Sequence, residues 1–326
     1  MTRPRIGFLG TGWIGRHRMA AMLADGAVEA VAISDTSEEM VAEAQILAPD
    51  AKVVGSLDEM LALRPDGVVI ATPSALHAAQ SIHALAAGAA VFCQKPLGRS
   101  AVEVDAVVAA ARDADRLLAV DLSYRFTTGM TRIREIVAGG EIGAVHSVDL
   151  VFHNAYGPDK PWFYDRSQSG GGCVIDLGVH LVDLAMWVLG FPAVESVTSH
   201  LFADGAPVPA DGVEDFAIAT IVLAGGTVVR LTCSWRAHAG RDAVIEASFF
   251  ARDGGAALRN VDGSFYDFVA ERYRGTASET LVHGPEEWGG RAAADWARRL
   301  AGGARFDSAN RELIAVAALL DRIYAG

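Results

Sequence analysis

At 326 residues the chain exceeds the usual span of one hydrophobic core, so two domains are expected. A globular composition of 51% hydrophobic and 21% charged residues carries a formal net charge of -12 and no long Lys/Arg cluster. This argues against nucleic acid as a partner, because phosphate contacts need a concentrated basic face. Cys93, Cys173 and Cys233 form no CxxC pair and sit in apolar runs, as reduced thiols in the core of a cytoplasmic protein do. No apolar run approaches the ~20 residues of a membrane span, so no membrane partner is expected.

From Arg5 to Ser123 short apolar runs alternate with helical stretches. The runs at 5–9, 28–34, 52–54, 66–72, 89–94 and 117–123 mostly lack polar alternation, the pattern of strands buried on both faces. Capping boxes predict helix starts at Thr36, Ser56 and Ser100, each with a glutamate three residues on (Glu39, Glu59, Glu103), and Gly88 stops a helix over 75–87. Repeated strand–helix–strand units predict an α/β fold, a doubly wound parallel sheet in a Rossmann domain over residues 1–123.

The pattern changes after Ser123. A helix over about 128–138 is followed by a strand at 144–153 and a Pro/Trp/Tyr loop over 154–169. Gly170-Gly171-Gly172 leads into a helix that stops at Gly190. A hairpin joins 213–223 to 227–236 across Gly225-Gly226, further strands fall at 242–250 and 256–268, and helices close the chain near 289–301 and 308–324. These predict an α+β domain over 124–326 with a large, mainly antiparallel open sheet.

The first strand runs into Gly10-Thr11-Gly12-Trp13-Ile14-Gly15 and then a helix. Alone, such a motif is only a glycine-rich turn. In this context Gly10 permits the tight turn, Gly12 lets a pyrophosphate approach the backbone, and Gly15 allows close helix–strand packing. Asp35, at the end of the second strand, is placed to accept hydrogen bonds from the adenosine ribose hydroxyls. Its charge repels a 2′-phosphate and no arginine follows closely, which favours NAD over NADP.

Lys95, in Gln94-Lys95-Pro96, follows the fifth strand, at the edge where open parallel sheets hold ligands. There a lysine can stabilise negative charge developing on a substrate oxygen. In the second domain Asp176, His180 and Asp183 are spaced to share one helical face. Histidine titrates near neutrality and suits the removal of an alcohol proton. A metal pair is another reading of the same residues, but no third and fourth ligand is evident, so no metal is expected.

Taken in order, Gly10–Gly15 with His17, Ala71-Thr72-Pro73-Ser74 with His77, Lys95-Pro96-Leu97, Tyr124-Arg125-Phe126 and Asp176-x3-His180-x2-Asp183 resemble the glucose–fructose oxidoreductase / inositol dehydrogenase (Gfo/Idh/MocA) family. The resemblance implies Lys95, Asp176 and His180 as the catalytic lysine, aspartate and histidine. It also implies self-association through the C-terminal sheet, as a homodimer or homotetramer. Thr72, Pro73, Ser74, His77 and Gln94 join the glycine loop, Asp35 and Lys95 as candidate cofactor residues. The family usually reads Glu-Lys-Pro, so Gln94 is a departure that removes one negative charge beside Lys95. Arg125, Asn154, Trp162, Tyr164, Asp165, Trp235 and His238 lie where they can wall a substrate pocket, with Lys95, Asp176 and His180 also touching substrate. The implied activity is hydride transfer between NAD(H) and a secondary hydroxyl or ketone of a sugar, cyclitol or related polyol. Two alternatives are elimination or glycoside cleavage through transient oxidation, without net redox change, and a non-catalytic nucleotide sensor or scaffold.

Overall fold

The computed structural model describes residues 2–326 and divides into two units. One comprises the chain up to Ser123 plus Gly289–Ile314; the other is Tyr124–Trp288 plus Ala315–Gly326.

In the first unit six strands, β1 (Arg5–Leu9), β2 (Glu29–Ser34), β3 (Lys52–Val53), β4 (Gly67–Ile70), β5 (Ala90–Cys93) and β6 (Leu118–Val120), form a sheet in the order β3-β2-β1-β4-β5-β6. Every neighbouring pair is parallel. β4 and β5 are buried along their whole length, which is why their sequences lack alternation. The connecting helices are α1 (Trp13–Asp25), α2 (Glu38–Leu47), α3 (Leu57–Ala62), α4 (Ser74–Ala86) and α5 (Ala101–Asp113). Strand order reverses between β1 and β4, which pair as far as Leu9 opposite Ile70. That adjacency is the switch point where open α/β sheets bind ligands.

Ser56 and Ser100 cap α3 and α5 by accepting the Glu59 and Glu103 N–H groups at 3.2 and 3.3 Å. The predicted Thr36 cap is displaced by one residue. Asp35 Oδ1 accepts the Ser37 N–H at 2.9 Å, and the Ser37 hydroxyl then accepts the Met40 N–H.

Gly289–Ile314, expected in the second domain, belongs to the first unit. Helix α9 (Arg291–Ala301) buries Ala292, Ala293, Trp296 and Ala297 on one side. The Trp296 ring lies 5.9 Å from that of Phe92, and a Cβ on Gly67 would stand 2.7 Å from the indole. An apolar stripe on an otherwise charged helix is satisfied by any apolar sheet face, so local pattern cannot say which domain claims it.

The second unit contains helix α6 (Thr128–Ala138) and strands β7 (Val145–Asn154), β8 (Val194–Ala203), β9 (Ala206–Pro207), β10 (Phe216–Leu223), β11 (Val228–Ser234), β12 (Ala243–Ala251), β13 (Gly254–Asn260), β14 (Phe268–Arg274) and β15 (Ala277–His283). They form one sheet, ordered β15-β14-β13-β12-β7-β11-β10-β8-β9. All neighbours are antiparallel except β7 and β11. The β10–β11 hairpin turns at Gly225 and Gly226, both at positive φ, as predicted. The single strand expected over 256–268 is instead the end of β13 and the start of β14, separated by a turn with Asp262 and Gly263 at positive φ. β8 and β15 escape the sequence pattern because neither buries a continuous alternate face; most of β15 is exposed.

Helices α7 (Arg166–Ser169) and α8 (Val179–Leu189) flank a π turn at Val174–Gly178. The helical run Arg166–Leu189 has the length and mean hydropathy (1.7) of a membrane span, contrary to the expectation from apolar runs. However, 83% of its apolar window is buried in the fold, as in the core helix of a globular unit. Helix α10 (Arg311–Ala325) adds Val316, Leu319, Leu320 and Ile323 to the same core.

The entry to the π turn is locked by Glu214, a fully buried residue just before β10. Its carboxylate accepts the N–H groups of Gly172 and Val174, each at 2.9 Å, and the Tyr324 hydroxyl at 2.8 Å. A Cβ on Gly172 would overlap the Glu214 backbone carbonyl, and one on Gly171 would overlap the Tyr324 hydroxyl. The glycine run is therefore a steric requirement of this close approach.

Replacing Trp296 with alanine should cost about 3–5 kcal/mol of stability, read from denaturant unfolding of the variant against the parent. A loss under about 1 kcal/mol would show that α9 is not integral to the first unit. Burial raises the Glu214 pKa above its ordinary 4.5 despite the donors from Val174, Tyr324 and Gly172. The native state thus holds this proton more tightly than the unfolded chain. Its stabilising contribution is fully present below 4.5 and is lost as pH rises through the raised value. Measured from about pH 4 to about pH 8, the stability advantage of the parent over Glu214→Gln should shrink with rising pH. A pH-independent difference would contradict the assignment.

Candidate active site

In the first unit the glycine loop is shaped by two close approaches. Gly10 has φ +85°, and a Cβ there would lie 2.6 Å from the Ala71 carbonyl at the end of β4. A Cβ on Gly15 would overlap the Gly10 carbonyl. At Gly12, by contrast, a Cβ would meet nothing within 4 Å, so the backbone faces open space. Trp13 is exposed and Ile14 half-buried at the start of α1.

Helices α2, α3 and α5 begin with serine caps and acidic first turns. α1 and α4 have neither a side-chain cap nor an acidic residue in the first turn, a feature they share with α9. They start just beyond β1 and β4, on the two sides of the switch point, and their first N–H groups remain available to an anion. An open Gly12 between two such helix starts fits the pyrophosphate of a dinucleotide.

Asp35 ties this loop to the end of β2. Oδ2 accepts the Thr11 N–H at 2.6 Å and the Thr11 hydroxyl at 3.4 Å, while Oδ1 takes the Ser37 N–H. A carboxylate offers about four acceptor positions, so capacity for a ribose hydroxyl remains.

Thr72 donates its hydroxyl to Gln80 at 2.6 Å, and Pro73 and buried Ser74 open α4. His77 has a different place from the one expected. It is buried, with Nδ1 and Nε2 each 2.7 Å from a backbone carbonyl, Pro96 and Thr72 respectively. Burial lowers its pKa against the opposing pull of the two carbonyls, and the side chain braces the loops after β4 and β5. Gln94 is also buried. Its amide donates to Asp121 at 2.5 Å and its carbonyl accepts the Lys95 backbone N–H at 3.1 Å. Lys95 is half-buried at the carboxyl edge of β5. Burial pushes the neighbouring Cys93 thiol up to about 12, leaving it inert; Cys173 and Cys233 are likewise buried free thiols.

In the second unit Asp176 lies inside the π turn, so its relation to His180 is not that of two residues on one regular helix face. Such turns often mark functional positions. Asp176 Oδ2 accepts the Trp235 indole N–H at 2.9 Å. His180 is buried, its ring 4.9 Å from that of Tyr124. Tyr124 also packs on Phe152, Phe268 and Trp288, and burial raises its pKa well beyond the working range.

The residues expected to wall a substrate pocket have the following places in the fold. Arg125 is committed to buried Asp183 through two hydrogen bonds of 2.8 and 2.6 Å, with its guanidinium over Trp187 and Phe191. Trp235 is 1% exposed, so it orients Asp176 rather than presenting a face to ligand. Asp165 caps α7 through the Ser167 N–H. Trp162 stacks on Phe163, and Tyr164 is exposed, edge-on to Trp235. Asn154 ends β7 with a buried Oδ1 that has no partner among the described residues, and His238 is exposed in a loop. Glu214 and Asp121 carry no local signal. Their partners lie tens of residues away, and only folding reveals them. No cluster of three metal-ligating side chains exists among the described residues.

Residues 4–122 match the family described as oxidoreductase family, NAD-binding Rossmann fold, and residues 130–254 match the GFO/IDH/MocA C-terminal domain. The chain is 31% identical over 247 residues to D-glucoside 3-dehydrogenase of Escherichia coli, covering 71% of this chain and 70% of that protein. It is 28% identical over 322 residues to inositol 2-dehydrogenase of Agrobacterium fabrum, covering 89% and 90%. Among solved structures, GenD2 from gentamicin A biosynthesis, in complex with NAD, superposes with a TM-score of 0.82 at 26% identity over 100% of this chain and 94% of that one. Glycine loop, switch point and second-unit sheet thus agree with sequence kinship, and the chain belongs to the Gfo/Idh/MocA family of NAD(P)-binding oxidoreductases.

Proposed function

We propose that this protein reversibly oxidises a secondary hydroxyl of a sugar, cyclitol or related polyol, with NAD rather than NADP. The observation that carries the reading is the π turn of the second unit. It sets a half-buried aspartate, oriented by Trp235, four residues before a buried histidine. A buried indole donor and a buried glutamate lock are a large investment in one carboxylate, consistent with a residue whose orientation matters. The sugar and inositol dehydrogenases among the relatives support the polyol class.

Bound nicotinamide supplies the hydride acceptor. Gly10, Gly12 and Gly15, with the free N–H groups at the starts of α1 and α4, hold the pyrophosphate. Asp35 accepts from the adenosine ribose, and its negative charge disfavours a 2′-phosphate. Lys95 polarises the substrate hydroxyl, His180 Nε2 or Nδ1 accepts the hydroxyl proton, and Asp176 orients the substrate beside it. Asn154, Trp162 and Tyr164 are assigned to the substrate wall. Self-association as a homodimer or homotetramer through the nine-stranded sheet is part of the same proposal, supported by the exposed apolar residues Ile218 and Phe250 on β10 and β12.

With a panel of polyols and NAD, turnover should appear as accumulating NADH. Lys95→Ala and His180→Ala should each lower kcat by about 10²–10⁴-fold while NAD affinity stays within a few-fold of the parent. Full turnover in either variant would remove that residue from the mechanism, and product formed without NADH would point to transient oxidation instead. Asp35→Asn should weaken NAD binding by about 10-fold or more and narrow the NAD-to-NADP preference. An unchanged preference would move cofactor selection away from Asp35.

A further inference from the structure

Behind Lys95 lies a buried polar network built from three elements of the first unit. Arg18 comes from α1, Gln94 from the end of β5, and Asp121 follows β6. Asp121 Oδ2 accepts Arg18 Nε–H at 2.6 Å and the Gln94 amide at 2.5 Å. Arg18 and Asp121 are only 8% and 1% exposed at their side chains. The guanidinium also meets His17 Nδ1 at 3.0 Å and the Ser123 hydroxyl at 3.5 Å. The other carboxylate oxygen, Asp121 Oδ1, is buried with no hydrogen-bond partner among the described residues.

A glutamate at position 94, the residue of the usual Glu-Lys-Pro motif, would bring a carboxylate oxygen to where the Gln94 amide nitrogen now sits. Two buried carboxylates would then touch, with Arg18 the cation bonded there. Like charges at that distance cannot both remain ionised without a large penalty. The amide therefore suits Asp121, because it donates a hydrogen bond without the proton that a glutamate there would have to take up.

We propose that Gln94 and Asp121 are a matched pair. The buried negative charge that the motif ordinarily carries in the lysine loop is carried here by Asp121, paired with Arg18. Asp121 acts as a positioning residue: it fixes the Gln94 amide, whose carbonyl fixes the Lys95 backbone N–H at 3.1 Å. The part of this inference that concerns turnover rests on the assignment of Lys95 above; the pairing itself does not.

The test compares the full-length parent with Gln94→Glu, Asp121→Asn and the double variant, by thermal unfolding and by kcat and KM on any polyol the parent turns over. Gln94→Glu should lower Tm by about 5 °C or more, and Asp121→Asn should also lower it by stranding Arg18. The double variant should regain at least half of the summed loss, since an amide again faces a single carboxylate. The same pattern should appear in kcat, with about a 10-fold loss in Gln94→Glu, partial recovery in the double variant, and little change in substrate KM. If Gln94→Glu does not fold, recovery of folding in the double variant supports the pairing, and its failure overturns it. A Gln94→Glu Tm within about 1 °C of the parent, or strictly additive losses, would also overturn it. Should no polyol be oxidised, the function assigned to Lys95 fails, while the unfolding measurements still decide the pairing.

Discussion

Each helix start leaves backbone N–H groups that something must accept, and the way this protein meets that demand organises both units. In the first, serine caps and acidic first turns close the starts of α2, α3 and α5, while α1, α4 and α9 lack both, and of these α1 and α4 stand beside the switch point. In the second, buried Glu214 accepts the N–H groups of Gly172 and Val174 at the entry to the π turn and so fixes the segment that bears Asp176. Internal satisfaction builds rigid support. Its omission at α1 and α4 leaves donors for an anionic ligand.

A second theme is the use of buried charge as bracing. Arg18 with Asp121 is buried on both sides and Arg125 with Asp183 on the carboxylate side, and each is held by multiple hydrogen bonds. Such pairs add little net stability compared with apolar packing, but breaking one leaves an uncompensated charge, so geometry around them is strongly specified. Lys95 stands next to one of these pairs through Gln94, and His180 lies on the helix that carries Asp183.

The parallel sheet, its glycine loop, the β10–β11 hairpin and the kinship were legible in the sequence. Each rests on short-range pattern: apolar runs, caps, Gly-Gly turns and an ordered set of motifs. Legibility ended where a residue's role depends on distant partners. His77, Arg125, Trp235 and Asp165 have the right chemistry to touch ligands, yet the fold gives them carbonyls, a carboxylate or a helix start to hold. β15 was hidden because a mostly exposed edge strand need not alternate.

By itself, then, the sequence determined the α/β and α+β architecture, the dinucleotide loop and the family, because these follow from local periodicity and from glycines that only particular turns accept. Tertiary structure decided the membership of α9, the π turn beneath Asp176, the Glu214 lock and the place of Gln94. Each of those depends on contacts between residues far apart in the chain, where burial makes an unpaired charge or donor costly and so selects one partner. Whether an arginine faces a ligand or an aspartate is settled by that cost, which no local pattern records.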